Sequence, residues 1–182
     1  MRPTPVSDLI RRPCPERCWT KPQTNWIKVS TDAALNSKSN KASWGIVARN
    51  WYGKLIGTWA IPTTSCSSAQ QEEAMAIRRS KMVIARQMGW RNAVFESDCK
   101  QVVDKLNTNE EEASIATILL DIRKLKEDFD ECCFSFTKRR NNSVSHHVAK
   151  FAISLIDIAQ WKYDFPIWLL ELVQADSVEQ LL

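Results

Sequence analysis

Three strand-like runs in succession, followed by helices that alternate with single strands, restrict the fold of this chain more than any other feature. Residues 26 to 32 alternate apolar and polar positions, and Lys41 to Arg49 and Lys54 to Ile61 continue in the same style, with a Gly-bearing turn at Asn50 to Gly53. A polar loop, Thr63 to Gln70, leads into a helix-like stretch from Glu73 to Met88. Then come a strand at 93 to 98, a short helix at Lys100 to Leu106 and an acidic break at Asn109 to Glu112. A helix at Ser114 to Asp128, a strand at Cys132 to Lys138 and a last helix at Val144 to Ile158 complete the series. The order βββαβαβα predicts an α/β fold with a mixed five-stranded sheet flanked by helices.

This unit should occupy residues 25 to 160. Residues 1 to 24 carry five of the seven prolines and no sustained periodicity, so they read as an extended leader. Residues 161 to 182 form an apolar tail that either docks on the domain or takes a protein partner, docking being the default because large exposed apolar patches are uncommon on monomers. The 182 residues, 44% hydrophobic and 25% charged, suffice for one domain with a real core. The formal charge of +4 permits a phosphate-bearing partner without demanding one. No apolar run approaches the roughly 20 residues of a membrane helix, and the proline-rich start lacks a secretory pattern, so a cytoplasmic or nuclear location is expected. A leader this short leaves no room for a polymerase domain, which suggests a free-standing protein or a gene fragment. The six cysteines show no disulfide framework and read as thiols. Cys14 and Cys18 have zinc-like spacing but no second pair of ligands nearby.

Three acids stand where structure would gather them. Asp32 follows Ile27-Lys28-Val29-Ser30-Thr31 at a strand end, Glu73 opens the long helix, and Asp98 ends Ala93-Val94-Phe95-Glu96-Ser97. Two strand ends and a helix suggest a shared cation site. Each acid alone has a plainer reading: Asp32 as the end of a strand, Glu73 as a partner of the helix dipole, Asp98 as an N-cap. A site requires all three to converge.

The segments Ser30-Thr31-Asp32-Ala33-Ala34, Glu72-Glu73-Ala74-Met75-Ala76-Ile77, Phe95-Glu96-Ser97-Asp98-Cys99 and Arg139 to Lys150, in this order, resemble the type 1 ribonuclease H domain. More narrowly they are similar to its plant branch, found at the end of retroelement reverse transcriptases and in free-standing relatives. The likeness spans about residues 26 to 160. It implies a metal-dependent endonuclease that cuts the RNA strand of an RNA/DNA hybrid, with two Mg²⁺ ions, or Mn²⁺ as a substitute, held by Asp32, Glu73 and Asp98. Paired hard cations stabilise the charge that gathers on the attacking and leaving oxygens of a phosphodiester. Glu73 is preferred to Glu72 because the family's Glu-Ala-x-Ala segment falls on Glu73-Ala74-Met75-Ala76.

Three departures stand out. The family has Gly after the first Asp where this chain has Ala33, so a turn that favours Gly must be made by a residue with a Cβ. The helix of Glu73 is one residue longer between Ile77 and Ala85, with Arg79, Ser80 or Lys81 as the extra, which calls for a bulge or a re-phased helix. The family's fourth acid falls on His146, which plant members often carry; an imidazole there can bind a divalent metal, move a proton or merely pack at the helix start. The resemblance also offers Lys138, Arg139, Arg140 and Asn142 as hybrid-binding residues, with a solvated charge run as the plainer alternative. Arg78, Arg79 and Lys81 read as an exposed helix face. The intact acids favour an enzyme. The Ala33, inserted-residue and His146 changes favour a domesticated retroelement domain that binds nucleic acid or protein without cutting.

Overall fold

In the computed structural model residues 19–64 and 67–178 are described; most of the proline-rich leader, Cys14, Cys18 and Cys66 lie outside them. Strands β1 (Ile27–Asn36), β2 (Lys41–Arg49) and β3 (Leu55–Thr63) form an antiparallel meander. Helix α1 (Ala69–Val83) then crosses to β4 (Asn92–Ser97), which pairs parallel with β1. Helices α2 (Lys100–Thr108) and α3 (Ala116–Lys124) connect to β5 (Glu131–Phe136), parallel to β4. The chain ends with α4 (Ser143–Ala152), a short strand β6 (Ala159–Trp161) and α5 (Ile167–Val178). One mixed sheet results, in the order β5-β4-β1-β2-β3-β6. It has one strand beyond the expected five: three residues against β3 are too few to show periodicity in a sequence.

Apolar side chains alternate along the central strands and so build a core on each face of the sheet. Ile27, Val29, Ile46, Trp59 and Phe95 meet Val83 and Ile84 of the helical layer on one face. Val47, Leu55 and Ala60 meet Val144, Val148 and Ala152 of α4 and Leu169 of α5 on the other. The C-terminal segment is therefore a helix whose Leu169 is fully buried. Its Asp176 adds a buried ion pair with Arg49 of β2, at 2.8 Å.

Three expectations need correction, and the bulge expected in the first helix is present. β1 does not end at Asp32 but continues to Asn36, and Ala33 sits in regular strand paired with Trp44. Only Asn25, Asn40 and Asn109 adopt positive φ among the described non-glycine residues, so no Gly-requiring turn follows Asp32. The extra helical residue is absorbed by a π-helical turn, Ile84–Met88, where the wider hydrogen-bond ring takes up one residue. Lys81 is not on an exposed face: it is fully buried, and its Nζ donates to the Ile122 carbonyl at 3.0 Å among the rings of Phe95, Phe129 and Phe134. Burial pushes its ammonium below the ordinary lysine value. The last helix stops at Ala152, earlier than Ile158, and Ile156 beyond it lies in solvent.

One contact sets the distance between sheet and α4. Gly45 pairs with Asp32 across the β1–β2 ladder, and a Cβ added there would lie 2.2 Å from the Ser145 carbonyl oxygen and 2.5 Å from the Ala149 nitrogen. The missing side chain lets α4 rest on the backbone of β2, where Ser43 Oγ donates to the Ala149 carbonyl at 2.6 Å. Gly45→Ala should therefore destabilise the fold by about 1–3 kcal/mol, the range of an overpacked core, measured by urea unfolding. An unchanged midpoint would show that α4 has room to move away.

Candidate active site

The parallel pairing of β1 and β4 places Thr31 opposite Ser97, so the next residues, Asp32 and Asp98, emerge side by side. β4 stops at Ser97 while β1 runs on, which leaves room for a third group. Glu73 of α1 fills it. Its Oε1 accepts from the Ala33 N–H at 3.2 Å and its Oε2 from Ser97 Oγ at 3.4 Å. Carboxylate oxygens of Asp32, Glu73 and Asp98 all lie within 4.8 Å of one another. The neighbouring Glu72 faces elsewhere, accepting from Trp44 Nε1 at 2.9 Å and from the Ser67 N–H at 2.8 Å. A residue in the first turn and one in the second thus have separate duties: Glu72 ties the start of α1 to the sheet, and Glu73 turns to the acids.

The plainer roles of the acids do not describe this geometry. Asp32 lies within its strand, and α2 is capped at Cys99, whose N–H donates to Ser97 Oγ at 3.1 Å, so Asp98 is not its N-cap. Glu73 faces neighbouring strands rather than the N-terminal amides of α1.

His146 reaches the cluster from the first turns of α4. Its Nδ1 is 2.7 Å from Asp32 Oδ2, the contact that the close approach over Gly45 makes possible. The carboxylate accepts, so Nδ1 carries the proton in this pair and Nε2 keeps a lone pair. Arg139 Nη2 lies 3.2 Å from Nδ1 and 3.4 Å from Nε2. A single atom nearly equidistant from both ring nitrogens sits over the face of the imidazole, not on either lone pair, so this is stacking rather than hydrogen bonding. Arg139 Nη1 also comes within 3.7 Å of Asp98 Oδ2.

Of the other proposed binding residues, Lys138 and Arg140 lie on the exposed segment before α4. Asn142 does not face solvent. It is buried, its Nδ2 donates to the Thr31 carbonyl at 2.9 Å, and its Oδ1 accepts from Ser145 Oγ at 2.6 Å. That amide fastens the start of α4 to β1 beside Asp32, which leaves it committed within the fold. A cavity of about 570 Å³ opens at the cluster, lined by Ala33, Asn36, Lys38, Glu73, His146 and Lys150 among others. Lys38 and Lys150 escaped the sequence reading because isolated lysines in a hairpin and on a helix carry no motif. Gly45 escaped it because its partner lies a hundred residues away in α4.

The electrostatics describe a site short of positive charge. Burial, then the nearby Asp98 charge, raise the Asp32 carboxyl from 3.8 to about 6 despite the His146 hydrogen bond. Burial, then the charges of Asp32 and Asp98, raise Glu73 from 4.5 to about 9. Among the described residues Asp32 Oδ1 is buried with no hydrogen-bond partner. An orphaned carboxylate oxygen among two other carboxylates is a fitting donor set for a hard divalent cation, which would remove both the repulsion and the unmet acceptor.

The family model described as reverse transcriptase-like matches residues 30–152, more than half of the chain. The chain belongs to this family. Several solved structures share the fold of this reverse transcriptase-like domain. RNase H1 from the halophilic archaeon Halobacterium salinarum is 17% identical, with a TM-score of 0.65 over 70% of this chain and 97% of that one. LC11-RNase H1, solved in complex with an RNA/DNA hybrid, is 16% identical, with a TM-score of 0.63 over 70% and 96%. Prototype foamy virus protease-reverse transcriptase is 14% identical, with a TM-score of 0.55 over 72% of this chain and 21% of that one. Among curated proteins no match was found. The fold is RNase H-like, with six strands where five were expected.

The raised carboxyls predict an inverse pH dependence of stability without metal. A folded-state pKa above the unfolded one means the fold holds the proton more tightly. The penalty is thus absent below the unfolded values and grows as pH rises through about 6 for Asp32 and about 9 for Glu73. In EDTA, Glu73→Gln should raise the thermal midpoint at about pH 8 and change it little at about pH 5. Mg²⁺ should raise the wild-type midpoint at the higher pH. Equal effects of the substitution at both pH values would contradict the buried-acid account.

Proposed function

We propose that this domain is a metal-dependent endonuclease that cuts the RNA strand of RNA/DNA hybrids. The observation that carries the reading is the convergence of Asp32, Glu73 and Asp98 at the end of the β1–β4 pair. Asp32 Oδ1, Glu73 and Asp98 would hold the divalent ions, two Mg²⁺ or Mn²⁺ in their place. Such ions, when bound, supply the positive charge that a phosphodiester displacement needs on its attacking and leaving oxygens.

The chain's own residues supply the rest. Asp32 Oδ2 fixes the His146 tautomer, which leaves the Nε2 lone pair to take a proton at the mouth of the cavity. In this reading His146 acts in proton transfer through Nε2, since Nδ1 is held by Asp32. Arg139, with Lys138 and Arg140 beside it, offers charge to backbone phosphates, and Lys38 and Lys150 do so across the cavity. Such contacts add affinity without reading sequence. The finer placement, a retroelement-derived domain of the plant branch, rests on the motifs around Asp32, Glu73 and Asp98 and on His146. The free thiols of Cys99, Cys132 and Cys133 fit a reducing compartment, cytoplasm or nucleus.

One observation favours a second reading, a domesticated domain that binds without cutting. Asp32 has a single oxygen left for metal, because His146 occupies the other. The site therefore has one oxygen fewer to offer a cation.

Cleavage of an end-labelled RNA/DNA hybrid in Mg²⁺ and in Mn²⁺ separates the two. The nuclease reading expects cutting that vanishes in Asp32→Asn and falls by about a hundredfold or more in His146→Ala, the usual share of a proton-transfer group. Binding without cutting in either metal supports the second reading. Arg139→Ala should weaken hybrid binding regardless of sequence and reduce the slope of log affinity against log salt by about one, read by fluorescence anisotropy across a salt series.

A further inference from the structure

Helix α4 lines two cavities with two adjacent stripes of side chains. His146 and Lys150, four residues apart, face the cavity at the acids. His147 and Phe151, the next pair at the same spacing, face a second cavity of about 430 Å³ closed by Trp168, Glu171 and Leu172 of α5. Residues four apart share a helix face, and the neighbouring stripe is turned by about 100°. The two cavities therefore lie side by side around one helix, and exposed Lys150 stands on the helix between them.

The second cavity has aromatic walls. Phe151 lies 5.1 Å from Trp168 between ring centroids, tilted by 38°, and 6.0 Å from Trp161. Trp161 and Trp168 meet edge to face. Phe151 is nevertheless 37% exposed, an unusual position for a phenyl ring in a cluster with two indoles. Polar groups stand at the rim. His147 Nδ1 donates to the Ser143 carbonyl at 2.7 Å, so its Nε2 keeps a lone pair, and the Glu171 carboxylate is a second acceptor. A flat apolar ring edged with N–H donors suits such a surface, and a nucleobase is a ring of this kind.

Resting on the nuclease or hybrid-binding reading above, we propose that the cavity between α4 and α5 stacks an unpaired nucleobase that extends from the end of an RNA/DNA hybrid bound at the acids. The exposed side of Phe151, backed by Trp168, supplies the stacking surface, His147 and Glu171 accept from the base edge, and Lys150 takes the phosphate between the two cavities. The continuity of α4 across both cavities and the positive charge placed between them select a nucleic-acid strand over an uncharged apolar partner. The domain would then prefer hybrids that end in a single-stranded extension.

The test measures affinity in the Asp32→Asn background, where cutting is blocked, for a blunt hybrid of about 12 base pairs, for the same hybrid with a two-nucleotide adenine overhang, and for one with an abasic overhang. Base stacking on aromatic side chains predicts a gain of about five- to a hundredfold for the adenine overhang and none for the abasic one, since the phosphates alone are common to both. Phe151→Ala and, separately, the surface substitution His147→Ala should reduce this gain while leaving affinity for the blunt hybrid unchanged. Equal binding of blunt and overhanging hybrids overturns the proposal and leaves the nuclease reading standing. So does a gain that survives abasic substitution, or one that survives Phe151→Ala. Binding of neither hybrid removes both readings. Self-association of the wild type that Phe151→Ala abolishes would also overturn it, by showing the face covered by a second copy.

Discussion

Three carboxylates share one partly buried corner of this protein, and most of its local structure answers their repulsion. Asp32 is fully buried, and both it and Glu73 are driven toward their protonated forms by burial and by the charges around them. A fold tolerates such a cluster only if each acid is fixed by bonds that do not depend on the others. Asp32 is held within a strand paired on both sides, Glu73 by a backbone N–H and a serine hydroxyl, and Asp98 by the strand end that precedes it. Arg139, placed over the histidine ring and near Asp98, brings the nearest full positive charge on a side chain of the loop before α4. A cluster built this way is preorganised, since its geometry does not await a ligand.

The two oxygens of Asp32 have separate fates, and that division decides what the site can do. Oδ2 orients His146, while Oδ1 has no hydrogen-bond partner among the described residues. A buried acceptor without a donor costs on the order of 1–3 kcal/mol. The surroundings offer it other carboxylates, so a cation answers it better than a hydrogen bond does. His146 sets an imidazole, rather than a further carboxylate, against the central acid.

The order of elements and the three acids were legible because they depend on local signals: period-two runs, a helix following a polar loop, and acids within recognisable segments. Glu73 was separable from Glu72 by its motif, and the geometry agrees, since Glu72 is spent on Trp44. What stayed hidden depends on contacts distant in sequence. Asn142 looked like a solvent-facing amide, but it fastens α4 to β1 through Thr31, a residue over a hundred positions earlier. Lys81 sits between two residues of a helix whose charged neighbours face out, and only the closure of Phe95, Phe129 and Phe134 around it reveals that it is inside. The extra helical residue was visible as a count, and it is taken up in the π-helical turn Ile84–Met88, where Ile84 still packs in the core.

The C-terminal segment shows how one pair of charges changes the meaning of an apolar sequence. Arg49 is 2% exposed, and burial lowers its guanidinium, an effect that Asp176 opposes most strongly. Breaking a buried ion pair by removing one partner costs about 3–5 kcal/mol, far more than the pair contributes when intact. Arg49 lies on β2, the strand that also carries Gly45, so the support of α5 and the approach of α4 reach the same strand from the same side. Apolar residues such as Ile167 and Leu170 remain on the outer face of α5, yet Leu169 and Asp176 commit its inner face to the core. A partner that engages this segment therefore meets an already seated helix, and its contacts must come from the outer face rather than from the residues that hold the domain together.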